Sequence, residues 1–157
     1  MGYRKILVAF TMHDKNMFLF EEALDLAKTM DAELLLFCCF EEGTVAEEED
    51  RVTTIAELDM SDSQRIHDKH RVEELGHVRA WLESLARIAR EHGISAHADA
   101  EEGKPARRIC DAAAHWGSDL IVLGHSSGHR LRELLLGSTY SHVIRDAHCA
   151  VLVTRAQ

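Results

Sequence analysis

The chain has a single proline and few aromatic residues, and it lacks both a long hydrophobic run and a stripe of basic residues. One proline in 157 residues excludes a proline-rich, low-complexity linker. No segment reaches the roughly 20 apolar residues that a membrane-spanning helix needs. The first apolar run, ILVAF, is too short for a secretory signal and lacks a small-residue cleavage site. We therefore expect a cytoplasmic protein with no membrane partner.

The formal net charge of −9 excludes a further class of partner. A nucleic-acid-binding surface needs clustered lysine and arginine to neutralise phosphates, and the chain has no stripe of basic residues with interleaved aromatic residues. We expect no nucleic-acid partner.

The four cysteines have no CxxC spacing, which argues against a structural zinc site or a redox motif. Cys38, Cys39 and Cys149 lie in apolar runs, where free cysteine behaves as a small hydrophobic residue. Neighbouring residues of a strand point to opposite faces, so Cys38 and Cys39 are not expected to pair. We expect free thiols in a reducing compartment.

The hydrophobic pattern predicts one α/β domain over residues 1–157, with strands and helices in alternation. Continuous apolar runs are typical of strands buried on both faces of a parallel sheet, and a weakly alternating run indicates an edge strand. The predicted strands are 4–10, 33–40, 94–100 (the edge strand), 119–124 and 149–154. The predicted helices are 15–30, 64–92, the one that begins at Pro105 and ends before Gly117, and 138–147. Such alternation predicts a doubly wound parallel sheet with right-handed crossovers.

Residues 41–63 interrupt this alternation with an acidic stretch that has no clear periodicity and ends in a helix-start signal at Ser61 and Ser63. Its charge leaves little apolar area to offset the entropy of ordering it. We expect a long mobile loop here.

The segment from Gly124 to Ser138, GHSSGHRLRELLLGS, carries the strongest functional signal. It follows a predicted buried strand and leads into a helix, and ligands of doubly wound sheets bind beyond the carboxyl ends of the strands. Glycines, hydroxyl groups and a helix N-terminus together favour an anion such as a nucleotide phosphate. A simple turn whose serines cap the next helix is the alternative interpretation.

The stretch from Glu102 to Thr154, which ends in LLLGS…VIRDAHCAVLVT, resembles the C-terminal half of a universal stress protein, and RKILVAF and AELLLFCCF resemble its N-terminal half. The resemblance covers nearly all of the chain except the 41–63 loop. It implies a five-stranded, Rossmann-like fold of the adenine nucleotide alpha hydrolase-like type, with strand order 3-2-1-4-5. It also implies a homodimer that pairs through the last strand, 149–154, and ATP or another adenine nucleotide in the glycine segment, with or without magnesium.

The match to the family's ATP-binding motif, glycine, two residues, glycine, nine residues, then glycine and serine or threonine, is incomplete. Gly124, Gly137 and Ser138 fit it, but Ser127 stands at the second glycine position and Gly128 follows one residue late. Thr11 stands where the family places an aspartate. The nucleotide-binding residues that the resemblance implies are Thr11, Cys39, Leu123, Gly124, Ser127, Gly128, Gly137, Ser138 and Thr139.

Two other kinds of site are weaker candidates. His67, His70 and Glu74 lie at helical spacing and could share a metal, although a solvated polar helix face has the same pattern. Ser126 or Ser127 beside His125 or His129 resembles a nucleophile and base, but the chain has no G-x-S-x-G elbow, so we expect no catalytic residue.

Three functions remain open at this point. The first is a stress-response regulator that binds an adenine nucleotide and acts on unknown regulatory partners. The second is a homodimeric interaction module of the same family that has lost nucleotide binding, as Ser127 and Thr11 suggest. The third is a slow ATPase or phosphotransferase.

Overall fold

The computed structural model describes residues 2–11, 17–40, 60–125 and 139–155. Within them, five strands alternate with helices as the sequence pattern predicts. The strands are β1 (Lys5–Phe10), β2 (Glu33–Phe40), β3 (Ala96–Glu102), β4 (Leu120–His125) and β5 (Ala150–Arg155). The helices are α1 (Met17–Met30), α2 (Met60–Glu91), α3 (Pro105–Trp116) and α4 (Thr139–Asp146).

The strands form one parallel sheet in the order β3-β2-β1-β4-β5. This order confirms the predicted Rossmann-like, doubly wound topology, including the edge position of the third strand. Winding changes direction at β1, which lies between β2 and β4. Ligands of such sheets bind at this reversal, beyond the carboxyl ends of the strands.

Side chains alternate across the sheet and create two separate cores. On one face Val8, Leu36 and Val122 pack under α1 and α2. On the other face Phe37 and Ile121 pack under α3 and α4. Both faces of the central strands are thus buried, which explains their continuous apolar runs.

Proline starts one helix, and glycine follows the end of two helices, as predicted. Pro105 is the first residue of α3, and Gly117 follows its last turn with φ +78°, donating its N–H to the Ala113 carbonyl at 3.0 Å. Gly93 follows α2 and also has a positive φ, of +78°. These positions favour glycine because a β-carbon is strained there.

The start of α2 corrects the predicted loop. Met60 to Ser63 already belong to the helix, so the predicted loop does not extend to residue 63. Serine is accepted in a first helical turn as well as before it, so the Ser61 and Ser63 signal did not locate the helix start. The rest of the predicted loop, 41–59, lies outside the described residues.

Helix α2 closes the outer edge of strand β3 with arginine side chains. Arg90 donates from Nη2 and Nε to the Ala96 carbonyl at 2.8 and 3.1 Å, and Arg79 donates to the Ala100 carbonyl at 3.0 Å. An edge strand otherwise exposes carbonyl and amide groups that invite another strand. Because the guanidinium groups donate hydrogen bonds to these carbonyls, the carbonyls are not available to a strand of another molecule.

The amino edge of the sheet is held by Asp119, which precedes β4. Its carboxylate accepts the backbone N–H of Arg4 at 2.9 Å and that of Lys5 at 3.0 Å. The Asp119 N–H in turn donates to the Lys5 carbonyl at 2.9 Å. Lys5 also donates from Nζ to the Trp116 carbonyl at 3.2 Å, so β1, β4 and the end of α3 meet at one place.

Among the described residues, no helix is both long and apolar enough to cross a membrane.

Candidate functional site

The candidate site lies at the carboxyl edge of the sheet, where β1, β2 and β4 end side by side. The register aligns Ala9 of β1 with Phe37 of β2 and with Leu123 of β4. Thr11 and Cys39 follow Ala9 and Phe37 by two residues, so they belong to the same sheet face as Leu123. The fold therefore brings together three residues that are far apart in sequence and that the family resemblance implies for nucleotide binding.

These three residues differ in exposure. Thr11 is exposed at the end of β1, whereas Leu123 and Cys39 are buried. Leu123 is held between Ala9 on one side and Val153 on the other, and its carbonyl accepts the Thr154 hydroxyl at 3.5 Å. Thr11 can thus offer a side-chain hydrogen bond to a ligand, while Leu123 contributes to the apolar floor beneath it.

Gly124 is a glycine for a packing reason that the sequence did not reveal. A β-carbon at this position would lie 2.8 Å from Cδ2 and 3.3 Å from Cγ of Leu19, which is buried in α1. This direction is on the face opposite Thr11 and Leu123, since Gly124 is the next residue along β4. The glycine therefore lets α1 pack close over the end of β4.

Tyr140 joins the beginning of α4 to the end of β4. Its hydroxyl donates to the Gly124 carbonyl, and its ring packs against the core under α3 and α4. Thr139, the first residue of α4, is half-buried directly beside it. Both ends of the candidate phosphate-binding segment are consequently at the carboxyl edge. Sequence reasoning missed Tyr140, although its place directly after the Ser138 and Thr139 motif was a signal.

A second feature that sequence reasoning missed adjoins Cys39. The Cys39 thiol donates to the Gly103 carbonyl at 3.6 Å, and the Gly103 N–H donates to the Phe40 carbonyl at 3.0 Å. Gly103 has φ +144°, and a β-carbon there would lie 2.6 Å from Nε of Arg108. The exposed Arg108 side chain could move away, but the positive φ is a conformation that residues with a β-carbon rarely adopt, so glycine suits this turn from β3 into α3.

The N-terminus of α3 is unusually basic. Lys104, Arg107 and Arg108 are all exposed there, in a chain whose net charge is −9. Cations at a helix N-terminus oppose the helix dipole, so they raise the positive potential at this corner of the carboxyl edge. An anion would reduce that unfavourable field.

The two neighbouring cysteines of β2 lie in different cores, as predicted. Cys38 belongs to the core under α1 and α2, and Cys39 to the core under α3 and α4. Burial raises the pKa of the Cys38 thiol to about 11. Cys38 is therefore almost entirely protonated near neutral pH.

The histidine-rich part of α2 does not form a metal cluster in the part of the chain that the structure describes. His70 is exposed and Glu74 is half-buried, and no three His, Cys, Asp or Glu side chains within that part lie where they could hold an ion. The His67 side chain lies outside the described residues.

Four of the predicted nucleotide-binding residues, Ser127, Gly128, Gly137 and Ser138, fall between the end of β4 and the start of α4, outside the described residues. The serines and His129 of the superficial nucleophile pattern lie there too.

Comparison with known proteins agrees with this architecture. The model of the universal stress protein family matches residues 2–155. Universal stress protein Sll1388 from Synechocystis is 32% identical over 157 residues, which cover 99% of each chain. Universal stress protein MJ0531 from Methanocaldococcus jannaschii is 29% identical and covers 98% of this chain and 82% of its own.

Solved structures show the same fold at lower identity. The universal stress protein UspA from Lactobacillus plantarum superposes with a TM-score of 0.72, at 22% identity and with 99% of each chain covered. A universal stress protein in complex with cAMP has a TM-score of 0.66 at 16% identity and covers 100% of both chains. A third, from Archaeoglobus fulgidus in complex with dAMP, has a TM-score of 0.52 at 19% identity and covers 98% of both chains. The family match over residues 2–155 places this chain in the universal stress protein family.

Proposed function

We propose that this chain is a cytoplasmic regulatory protein that binds an adenine nucleotide at the carboxyl edge of its sheet, without a dedicated catalytic role. The described residues that would contact the nucleotide are Thr11, Cys39, Leu123, Gly124 and Thr139. The remaining contacts would come from Ser127, Gly128, Gly137 and Ser138. A magnesium ion is a candidate ligand of the nucleotide phosphates.

The observation that carries this proposal is the convergence at the topological reversal. Thr11 and Leu123 lie on one face at the ends of neighbouring strands, and the Tyr140 hydroxyl holds the start of α4 against the Gly124 carbonyl. A ligand in this place would meet an apolar floor, an exposed hydroxyl and the N-terminus of a helix, which suit a base, a ribose and a phosphate respectively.

Charge and relatives support the same ligand class. Lys104, Arg107 and Arg108 supply a local positive field in an acidic chain. Two universal stress proteins of the same fold hold adenine nucleotides, one cAMP and the other dAMP. Each of those ligands joins adenine to a sugar and a phosphate, the combination for which this edge is suited.

Calorimetric titration with ATP, AMP and cAMP tests the proposal. We expect a dissociation constant in the micromolar range, about −8 kcal/mol. Thr11→Ala should weaken binding roughly fivefold, since it removes one hydrogen bond of about 1 kcal/mol. Thr29→Ala is the matched control, because Thr29 is exposed on α1 and its hydroxyl donates to the Asp25 carbonyl of the same helix. No heat and no thermal shift at millimolar ATP would refute nucleotide binding.

A second candidate function is an interaction module that has lost its nucleotide. It is favoured by Ser127, which places a side chain where the family's motif has a glycine. Ser127→Gly separates the two functions. If side-chain bulk limits the approach of phosphate, the variant binds ATP more tightly than the wild type. If neither the variant nor the wild type binds ATP measurably, the result favours the interaction module. Phosphate release from ATP by the same samples tests the slow ATPase.

We further propose that two copies pair through strand β5. Of the two sheet edges, β3 has backbone carbonyls occupied by arginines of α2. On β5, Leu152 and Val153 are 41% and 40% exposed. They project from opposite faces of the strand, so pairing with a second β5 would cover apolar side chains on both sides of the sheet. A two-fold axis at this edge makes the contact self-complementary.

Sedimentation at micromolar concentration tests the dimer. Leu152→Lys with Val153→Lys should give a folded monomer, because like charges would oppose each other across the two-fold axis. Val151 is unsuitable for this test, since its half-buried side chain packs against the core. Val72→Lys is the control, as Val72 is 70% exposed on α2. A dimeric double variant, or a monomeric wild type, would exclude β5 as the interface.

A further inference from the structure

The first turn of α4 and the end of β4 are joined by a tyrosine that neither the motif nor the family resemblance implies. Tyr140 is the second residue of α4, and its hydroxyl donates to the Gly124 carbonyl, 16 residues earlier in the chain. Gly124 is the penultimate residue of β4. One side chain thus connects the strand and the helix that flank the candidate phosphate-binding segment.

Helix α4 depends on such contacts for its position. It has eight residues and is about 12 Å long, and isolated helices of fewer than about 12–15 residues are marginally stable in water. Tyr140, Val143 and Ala147 form a stripe at helical spacing, and all three pack against the core under α3 and α4. Tyr140 is the member of this stripe nearest the N-terminus, so it anchors the turn with which the helix begins.

The hydroxyl adds a constraint that the packing of the ring does not supply. Apolar contact is non-directional, whereas a hydrogen bond fixes a distance and an angle between its two partners. The acceptor is itself held in place, since a β-carbon at Gly124 would lie 2.8 Å from Cδ2 of Leu19 and the backbone there already lies against α1. The Tyr140 hydroxyl therefore ties the N-terminus of α4 to a fixed point of the sheet.

A second hydroxyl at the end of β4 offers an internal comparison. The Thr154 hydroxyl donates to the carbonyl of Leu123, the residue before Gly124, at 3.5 Å. Thr154 is buried on β5, whereas Tyr140 belongs to the helix that begins at the candidate site. Two hydroxyl groups thus hold consecutive carbonyls of β4, and one of the two also positions α4.

We propose that Tyr140 is a positioning residue that makes the candidate site selective for phosphate-bearing nucleotides over nucleosides. The proposal rests on the proposed nucleotide binding at the carboxyl edge. The N-terminus of a helix attracts a phosphate through its dipole and its backbone N–H groups, and this effect is confined to the first turn. A displacement of α4 from the end of β4 weakens the phosphate contact and leaves the contacts at Thr11 and Leu123 in place.

Calorimetric titration of Tyr140→Phe with ATP, AMP and adenosine tests the proposal, since this variant keeps the ring and loses the hydroxyl. The affinities for ATP and AMP should fall roughly fivefold, the effect of one lost hydrogen bond of ordinary strength. The affinity for adenosine, which has no phosphate, should change by less than about twofold. Equal losses for all three ligands, or an unchanged affinity for ATP, would overturn the proposal.

Two control variants separate positioning from general stability. Tyr3→Phe removes the hydroxyl of the chain's other tyrosine, which packs against the core under α1 and α2, and it should leave all three affinities unchanged. Thr154→Val removes the hydrogen bond to the Leu123 carbonyl and should lower the melting midpoint, but it should preserve the ratio of ATP to adenosine affinity. A ratio that falls as far in Thr154→Val as in Tyr140→Phe would assign the selectivity to the stability of β4 and overturn the positioning role.

Nuclear magnetic resonance measures the hydrogen bond itself without a ligand. Carbonyl-labelled glycine and nitrogen-labelled histidine together select the Gly–His pairs, which begin at Gly76, Gly124 and Gly128. Loss of one signal in Gly76→Ala and of another in Gly128→Ala assigns the third to Gly124. Because a hydrogen bond deshields the carbonyl carbon that accepts it, the Gly124 signal should move upfield in Tyr140→Phe, while the Gly76 signal stays in place. An unmoved Gly124 signal would overturn the proposal.

The titrations also separate the failure of this proposal from the failure of the proposed function. If the wild type binds neither ATP nor AMP, nucleotide binding fails and the positioning role fails with it. If the wild type and Tyr140→Phe bind ATP equally well, the site holds a nucleotide and only the role of Tyr140 is refuted. A selective loss of ATP and AMP affinity, together with the shifted Gly124 signal, supports both.

Discussion

Gly124 is the penultimate residue of strand β4 and lies beneath helix α1, and its replacement by alanine tests how the end of that strand is packed. General propensity predicts a benefit, since alanine is less costly to order than glycine by roughly 0.5–1 kcal/mol. The structure predicts the opposite. The added β-carbon would lie 2.8 Å from Cδ2 of Leu19, closer than real contacts allow.

The size of the penalty follows from the surroundings of Leu19. Its side chain is 2% exposed and belongs to the core under α1 and α2, so it cannot swing into solvent. An extra methyl group in a packed core costs typically about 1–3 kcal/mol. After the propensity gain is subtracted, we expect Gly124→Ala to lower the free energy of unfolding by about 1–2 kcal/mol. For a chain of this size the melting midpoint should fall by roughly 2–8 °C.

Urea unfolding followed by circular dichroism measures the change, and the chain offers a matched control. Gly76 is exposed in the middle of α2, and a β-carbon there would meet nothing within 4 Å. Gly76→Ala should therefore stabilise the protein by about 0.5–1 kcal/mol. The same substitution thus has opposite signs at the two sites, which separates steric overlap from backbone propensity.

A double-mutant cycle identifies the atoms responsible. Leu19→Ala alone should cost about 2–5 kcal/mol because it leaves a cavity. In that background the Gly124→Ala penalty should disappear, which gives a coupling of about 1–2 kcal/mol between the two positions. The reasoning is refuted if Gly124→Ala stabilises the wild type, or if its full penalty persists when Leu19 is alanine.

Three further predictions follow from contacts elsewhere. Asp119→Ala should lower the free energy of unfolding in urea by about 2–3 kcal/mol, since it leaves the backbone N–H groups of Arg4 and Lys5 without their acceptor. The control Asp111→Ala, at an exposed residue, should lower it by less than about 0.5 kcal/mol. Equal effects would contradict the role of the Asp119 hydrogen bonds. Arg90→Ala should lower the free energy of unfolding by about 1–2 kcal/mol, because it removes the hydrogen bonds to the Ala96 carbonyl of β3. The uncovered edge should also increase aggregation, measured by light scattering. The control Arg87→Ala, at an exposed residue, should change neither quantity. Burial raises the pKa of the Cys38 thiol from 9.0 to about 11, so the stability contributed by its protonated form is fully present below pH 9 and is lost as the pH rises toward about 11. The free energy of unfolding should therefore fall by up to about 2–3 kcal/mol over that window in the wild type, and by less in Cys38→Ala. Parallel pH curves for the two proteins would be evidence against a buried neutral thiol.

The elements were largely predictable because their signals are local. Pro105 and Gly117 mark the ends of α3 through backbone conformations that only a few residue types favour, and both act as predicted. The start of α2 was less predictable. Serine suits several positions around a helix N-terminus, so the Ser61 and Ser63 signal left the boundary uncertain by a turn.

The candidate site was predictable only in part. A motif spacing indicated Gly124 and Thr139, but Leu19 and Tyr140, which contact the end of β4 from opposite ends of the chain, have no spacing relation to it. Gly103 was likewise missed, because the reason for a glycine there is the positive φ of a turn whose N–H donates to the Phe40 carbonyl at the end of β2. Contacts between distant segments leave no periodic trace in the sequence.

The sequence by itself determined the class of fold, the order of its elements and the family. Alternating apolar runs and helical stripes report burial along the chain, and burial on both faces of a strand requires helices on both sides of a parallel sheet. The tertiary structure alone decided which side chains share a face and which meet. It placed Thr11 on the same sheet face as Leu123 and closed the β3 edge with Arg90, because these relations depend on strand register and helix packing between residues far apart in the chain.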